Sequence, residues 1–128
     1  MAVIQGRTRE QLRQSVGYNL GAMRTSTVTA ADGTDPTFKF ADNTLTSGGN
    51  DRFNGRWLVL QDADASTNDG IIRRITDSSV TSNVYTITFM PAAGAAVAVN
   101  DTYEIWEDKY PPQRINDFIN QAIVDATG

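Results

Sequence analysis

Val84-Tyr85-Thr86-Ile87-Thr88-Phe89 is the stretch that decides the fold. Its residues alternate so that Tyr85, Ile87 and Phe89 share one face of an extended strand, and Val84, Thr86 and Thr88 share the other. The aromatic face is expected to meet a core and the threonine face to meet water, as in an antiparallel sheet covered on one side. Similar short runs flank it: Thr25-Ser26-Thr27-Val28-Thr29, Thr37-Phe38-Lys39-Phe40, Trp57-Leu58-Val59-Leu60, Ile71-Ile72-Arg73-Arg74-Ile75 and Thr102-Tyr103-Glu104-Ile105-Trp106. Turn formers separate them: Asp32-Gly33, Ser47-Gly48-Gly49-Asn50, Asn54-Gly55, Asn68-Asp69-Gly70, Asp77-Ser78-Ser79 and Asn100-Asp101. Most connections are too short for parallel crossovers, so the neighbours should be antiparallel. The small-residue tract Ala92–Val99 suits a loop packed flat on the sheet. Residues 25–106 therefore read as an antiparallel β-sandwich or small barrel, which makes the class mainly β and α+β by content.

Helical patterns flank this region. Thr8 followed by Gln11 forms a capping-box signal for a helix over 8–23, in which Leu12, Val16 and Leu20 recur on one stripe with Met23 beside it. Gly17 and Gly21 each cost about 1 kcal/mol relative to Ala inside a helix, so close approach of another backbone or a frayed helix end has to account for them. Pro111-Pro112 opens a second helix over 112–126, with Ile115, Phe118, Ile119, Ala122, Ile123 and Ala126 at helical spacing. A small β domain does not need two amphipathic helices to close its core. They are expected either to pack on an open face of the sheet or to make contacts between subunits, and different faces can do both. The expected interface residues are Leu12, Val16, Leu20, Ile115, Phe118, Ile119 and Ala122. No fixed-period repeat is present, and the 128 residues fit one domain, 1–128.

Composition narrows the chemistry. With 40% hydrophobic and 20% charged residues the chain has the make-up of a folding domain. It holds no Cys and no His, which removes disulfides, thiolate catalysis, Cys-ligated metals and the commonest general base. A net charge of −4 argues against a basic face for nucleic acid. No segment approaches the ~20 apolar residues of a membrane span, and residues 1–7 lack a signal-peptide apolar region. The expectation is a protein that is not an enzyme and takes no cofactor.

Three constellations bear on possible chemistry. Residues Asp62 to Gly70 place oxygen ligands at alternate positions as a calcium loop does, yet Thr67 stands where such a loop needs Gly and Arg73 where it needs Glu, so a solvated hairpin loop is expected. Glu104 should face solvent while Glu107 and Asp108 lie in a linker, which separates them from any shared acid and base cleft. Arg73 and Arg74 point to opposite faces, and a salt bridge is expected for at least one. The alternative to an assembly role is a carbohydrate-binding β-sandwich for host-surface attachment, for which Trp106 is the expected exposed stacking platform.

Several pieces carry a resemblance: residues Arg9–Gly21, then Phe53-Asn54-Gly55-Arg56-Trp57-Leu58 leading to Gly70-Ile71-Ile72-Arg73-Arg74-Ile75, then Tyr85–Phe89, Asn100–Trp106, and Ile115-Asn116 with Ala122-Ile123 in the last helix. Their order is similar to small β domains of neck, tail and head-decoration proteins from tailed bacteriophages of marine or environmental type. The resemblance implies a non-enzymatic virion structural protein, assembled in the host cytoplasm. It would be a self-associating accessory subunit bound to portal, tail or capsid as a connector, decoration or fibre-anchoring module.

Overall fold

The computed structural model describes residues 9–45, 49–63 and 65–127. Thr8, the expected N-cap, lies outside these residues, as do Asp64, part of the expected turn at Ser47-Gly48, and the side chains of Asp62 and Ala126. The elements run α1 (Arg9–Leu20), β1 (Met23–Thr27), β2 (Ala30–Ala31), β3 (Lys39–Asp42), β4 (Trp57–Asp62), β5 (Ile72–Thr81), β6 (Val84–Met90), β7 (Thr102–Trp106) and α2 (Pro112–Thr127), with a 3-10 turn at Ser66–Asn68. The strands form a seven-stranded sheet in the order β1-β7-β4-β5-β6-β3-β2. Every pairing is antiparallel, so the expected class, mainly β with two flanking helices, is the one observed.

The two edges of this open sheet are consecutive in sequence. Only Val28 and Thr29 separate β1 from β2. The Val28 amide donates to Asp101 O at 2.8 Å, on the β7 side, while the Thr29 amide donates to Ala41 O at 2.9 Å, on β3. One chain segment thus turns from one edge to the other, and the sheet curls around its inner face. That face holds Phe40, Leu58, Leu60, Ile75, Tyr85, Ile87, Phe89, Tyr103 and Ile105, with Leu45, Phe53, Ala93 and Val97 added from loops. Phe40 lies tilted against Tyr103 at 4.8 Å between ring centroids. Each fully buried Leu, Ile or Phe contributes roughly 1.5–3 kcal/mol relative to an exposed one. Burial in β6 alternates as its sequence does, with Tyr85, Ile87 and Phe89 inside, and the 92–99 tract is a loop that buries Ala93 and Val97.

A polar knot ties the seam between the edges. Buried Asp42, at the end of β3, accepts hydrogen bonds from the Ser26 hydroxyl of β1, the Tyr103 hydroxyl of β7 at 2.6 Å, and the Thr44 hydroxyl and amide at 2.6 and 2.7 Å. Burial pushes the Asp42 carboxyl up, but the bonds from Ser26, Thr44 and Tyr103 outweigh it and hold the group below the usual carboxylate range. Burial, followed by the bond to Asp42, keeps the Tyr103 phenol protonated far above its ordinary value.

Several boundaries differ from the expectation. The β5–β6 turn is not at Asp77-Ser78-Ser79 but at Ser82-Asn83, whose φ values of 51° and 66° make it a two-residue hairpin turn. Residues 77–79 stay in the strand because a register shift between Ile75 and Asp77 absorbs the extra residue. The Ser78 hydroxyl is also satisfied there, donating to Asn54 Oδ1 and accepting from the Phe53 amide, both at 2.9 Å. The first helix ends at Leu20 rather than Met23. Gly21 adopts φ 65°, its amide donates to Tyr18 O at 3.1 Å, and the Ala22 amide donates to Gly17 O at 3.0 Å, which is a Schellman stop. Met23 consequently opens β1. Close approach explains the other glycine: a Cβ on Gly17 would lie 2.6 Å from Met23 Cβ and 2.8 Å from Trp106 Cη2.

Candidate functional site

The outer face of the sheet at β1, β7 and β4 carries the two helices. Strand alternation puts Glu104 and Trp106 on this face, opposite Tyr103 and Ile105. A second apolar cluster forms here from Ala22, Met23, Val59 and Trp106, with Trp57, Ile72, Tyr110 and Ile115 packed against it. It is small, and a charged pair sits beside it. Arg13 grips Glu104 with two parallel bonds, Nε to Oε1 at 2.9 Å and Nη2 to Oε2 at 2.7 Å, with the two side chains only 4% and 0% exposed.

The remaining polar atoms are satisfied by the elements around the pair. Arg13 Nη1 donates to Asn116 Oδ1 of α2 at 3.1 Å. Glu104 also accepts from Trp106 Nε1 at 2.6 Å and from Gln61 Nε2 of β4 at 3.0 Å. This network joins both helices to two strands through directional bonds, so it fixes the position and rotation of the helix layer more sharply than apolar contact alone does. Glu104 therefore does not face solvent as expected, because that expectation left out the helices that cover its face. Trp106 is 0% exposed, its ring lying against Gly17, so it is no stacking platform.

The expected interface residues divide between two environments. Ile119 is buried and Leu12, Val16 and Ile115 are half-buried within the chain, whereas Leu20, Phe118 and Ala122 are exposed. Phe118 is 73% exposed, the most of any large apolar side chain described, and Ala122 stands one turn further along α2. Val124, at 59%, projects from another side of the same helix. The stripe at helical spacing is thus wider than the chain uses for itself.

The other constellations resolve into local roles. Glu107 pairs with Arg56 at 3.0 Å and Asp108 with Arg74, whose guanidinium also lies 4.4 Å from the Trp57 ring centroid. Arg73 turns instead to the Ile72 and Ala92 carbonyls. In the calcium-like loop, buried Asn68, at one of the alternate positions, bonds the Ala95 backbone, and Asp69 beside it accepts the Ala63 amide at 2.7 Å, so these two side chains shape the loop. Among the described residues no cluster of three or more acidic, His or Cys side chains is placed to hold a metal, and no helix is long and apolar enough to cross a membrane.

Sequence reasoning missed Arg13, Gln61 and Asn116. Nothing marks a charged helix residue as buried before its partner is known. A signal did exist at β7, where Trp106 shares a face with Glu104 and implies that this face is covered. No family model, curated protein or solved structure matches the chain, so the function has to be argued from this geometry.

Proposed function

We propose that the chain is a non-enzymatic assembly module that associates with copies of itself through the outer surface of its helix layer, as an accessory subunit of a tailed-phage virion at the neck, tail or capsid surface. The observation that carries the self-association is Phe118, a large aromatic side chain 73% exposed on a helix whose other face is already packed. Aromatic side chains held rigidly on a surface are the usual anchors of protein interfaces. Here the Arg13–Glu104–Asn116 network holds α2 in place, so docking would require little further ordering. Leu20, 49% exposed at the end of α1, is a second exposed apolar side chain on the helix layer. The virion setting comes from the sequence resemblance, and closed cyclic symmetry is the default for such a homo-oligomer.

Light scattering of the purified chain, alone and with Phe118→Asp or Leu20→Asp, tests the association. The expected result is a defined multimer that the substitutions split into monomers with unchanged circular dichroism. A parent chain that stays monomeric, or a multimer indifferent to both substitutions, overturns it.

A further inference from the structure

Beside α1 lies a recess of about 470 Å³ lined by that helix, β1, Thr44 and the ends of β4 and β7. Gln14 and Tyr18, one helical turn apart, line it from α1, Thr25 and Ser26 from β1, and Thr44 and Gln61 from the segments on either side of that strand. Every lining side chain is uncharged and bears a hydroxyl or an amide. The Tyr18 ring, 57% exposed, is the one aromatic surface among them.

We infer that this recess is a binding site for a neutral saccharide. An ion entering it would lose hydration without meeting an opposite charge, and a purely apolar ligand would strand the lining polar groups. A neutral sugar meets neither penalty, because its hydroxyls match the amides and hydroxyls while its C–H face packs on the tyrosine ring.

The groups are also held in place before any ligand arrives. The Tyr18 and Thr25 hydroxyls share a 3.2 Å hydrogen bond that fixes the ring above the strand. Gln61 is oriented by its bond to Glu104 at 3.0 Å, and Ser26 by its bonds to Asp42 and, at 3.2 Å, to Thr44. Such preorganisation lowers the ordering cost of binding. The two interaction surfaces are separate, since Phe118, which carries the proposed self-association, lies on α2 and no residue of that helix lines the recess. The saccharide site therefore goes beyond helix-mediated assembly and does not depend on it.

The test is a nuclear magnetic resonance titration of the isotope-labelled full chain with maltotriose, cellotriose and triacetylchitotriose, with glycerol and sialyllactose as controls. The expected result is saturable shifts of the Gln14 and Gln61 side-chain amides and the Thr25–Thr27 backbone with at least one neutral sugar. Tyr18→Ala should weaken that binding about tenfold or more, equivalent to about 1.4 kcal/mol, while Tyr18→Phe keeps most of it. Thr25→Arg, which fills the recess from an exposed strand position, should abolish it, and this variant decides the matter should Tyr18→Ala not fold. No saturable shift with any neutral sugar, an equal response to glycerol, a stronger response to sialyllactose, or binding that survives both groove variants overturns the assignment.

Discussion

The two faces of the curled sheet are built on different principles. The inner face is apolar from Phe40 through Phe89 to Leu60 and carries its polar knot, Asp42 with Ser26 and Tyr103, only at the seam. The outer face under the helices has a much smaller apolar cluster, and the fully buried Glu104 stands beside it, bound to Arg13. Burial of area drives the inner face and is tolerant of exact geometry; the outer face depends on directional bonds that exist in one arrangement only. The helices are consequently held in register by these bonds as well as by apolar contact, and Phe118 stays outside.

The sharpest way to break this contrast is to remove one partner of the buried pair. Arg13→Ala removes the cation that Glu104 faces and should cost about 3–5 kcal/mol, whereas the double change Arg13→Met with Glu104→Leu should recover part of that loss, because apolar replacement of a whole buried pair is commonly neutral but the Trp106 indole N–H loses its acceptor. Chemical denaturation of both variants measures the difference. If the double variant retains stability but loses self-association, the pair serves orientation more than stability.

Gly17→Ala probes how tightly the helix sits on the sheet. Alanine gains about 1 kcal/mol over glycine in a helix, but the new methyl meets Met23 and Trp106 at less than 3 Å. Overpacking costs about 1–3 kcal/mol, so a net loss in thermal stability is expected.

At the seam, Asp42→Asn should cost about 1–3 kcal/mol near neutrality, as the donors around the carboxylate lose their charged acceptor. The folded pKa lies below the unfolded one, so the carboxylate's contribution is complete above the unfolded value of about 3.9 and is lost as pH falls through the lower folded value. The gap between parent and variant should therefore narrow in acid, which urea unfolding at about pH 7 and about pH 3 detects. Tyr103 acts at the other limit: its raised pKa gives a contribution complete below about pH 10 and lost progressively as pH climbs beyond it.

The smallest stability effect belongs to Phe118→Asp, within about 0.5 kcal/mol, because a mostly exposed side chain loses little on replacement. Its change in solution mass carries the information instead.

Much of the architecture was legible because periodicity reports burial directly. The alternation in Val84–Phe89, the turn residues at Asn54-Gly55 and Asn100-Asp101, and the Pro112 helix start each have a local cause. The turn at Ser82-Asn83 was missed since Asp77-Ser78-Ser79 carries a stronger local signal, and it is pairing with β6, together with the bonds of Ser78 to Asn54 and Phe53, that keeps that segment extended. The candidate sites were less legible. The exposed stripe of α2 was visible as excess apolar residues, while the recess beside Tyr18 joins residues from Gln14 to Thr102 that share no motif.

By itself the sequence determined the antiparallel β class, the two helices and the absence of histidine and cysteine chemistry, because propensity, patterning and composition act within a few residues. Only the tertiary structure decided that Trp106 is buried, that Glu104 is paired and that Phe118 is exposed. Each of those depends on which surface another element covers, and the Arg13–Glu104 contact that settles it spans 91 residues of chain.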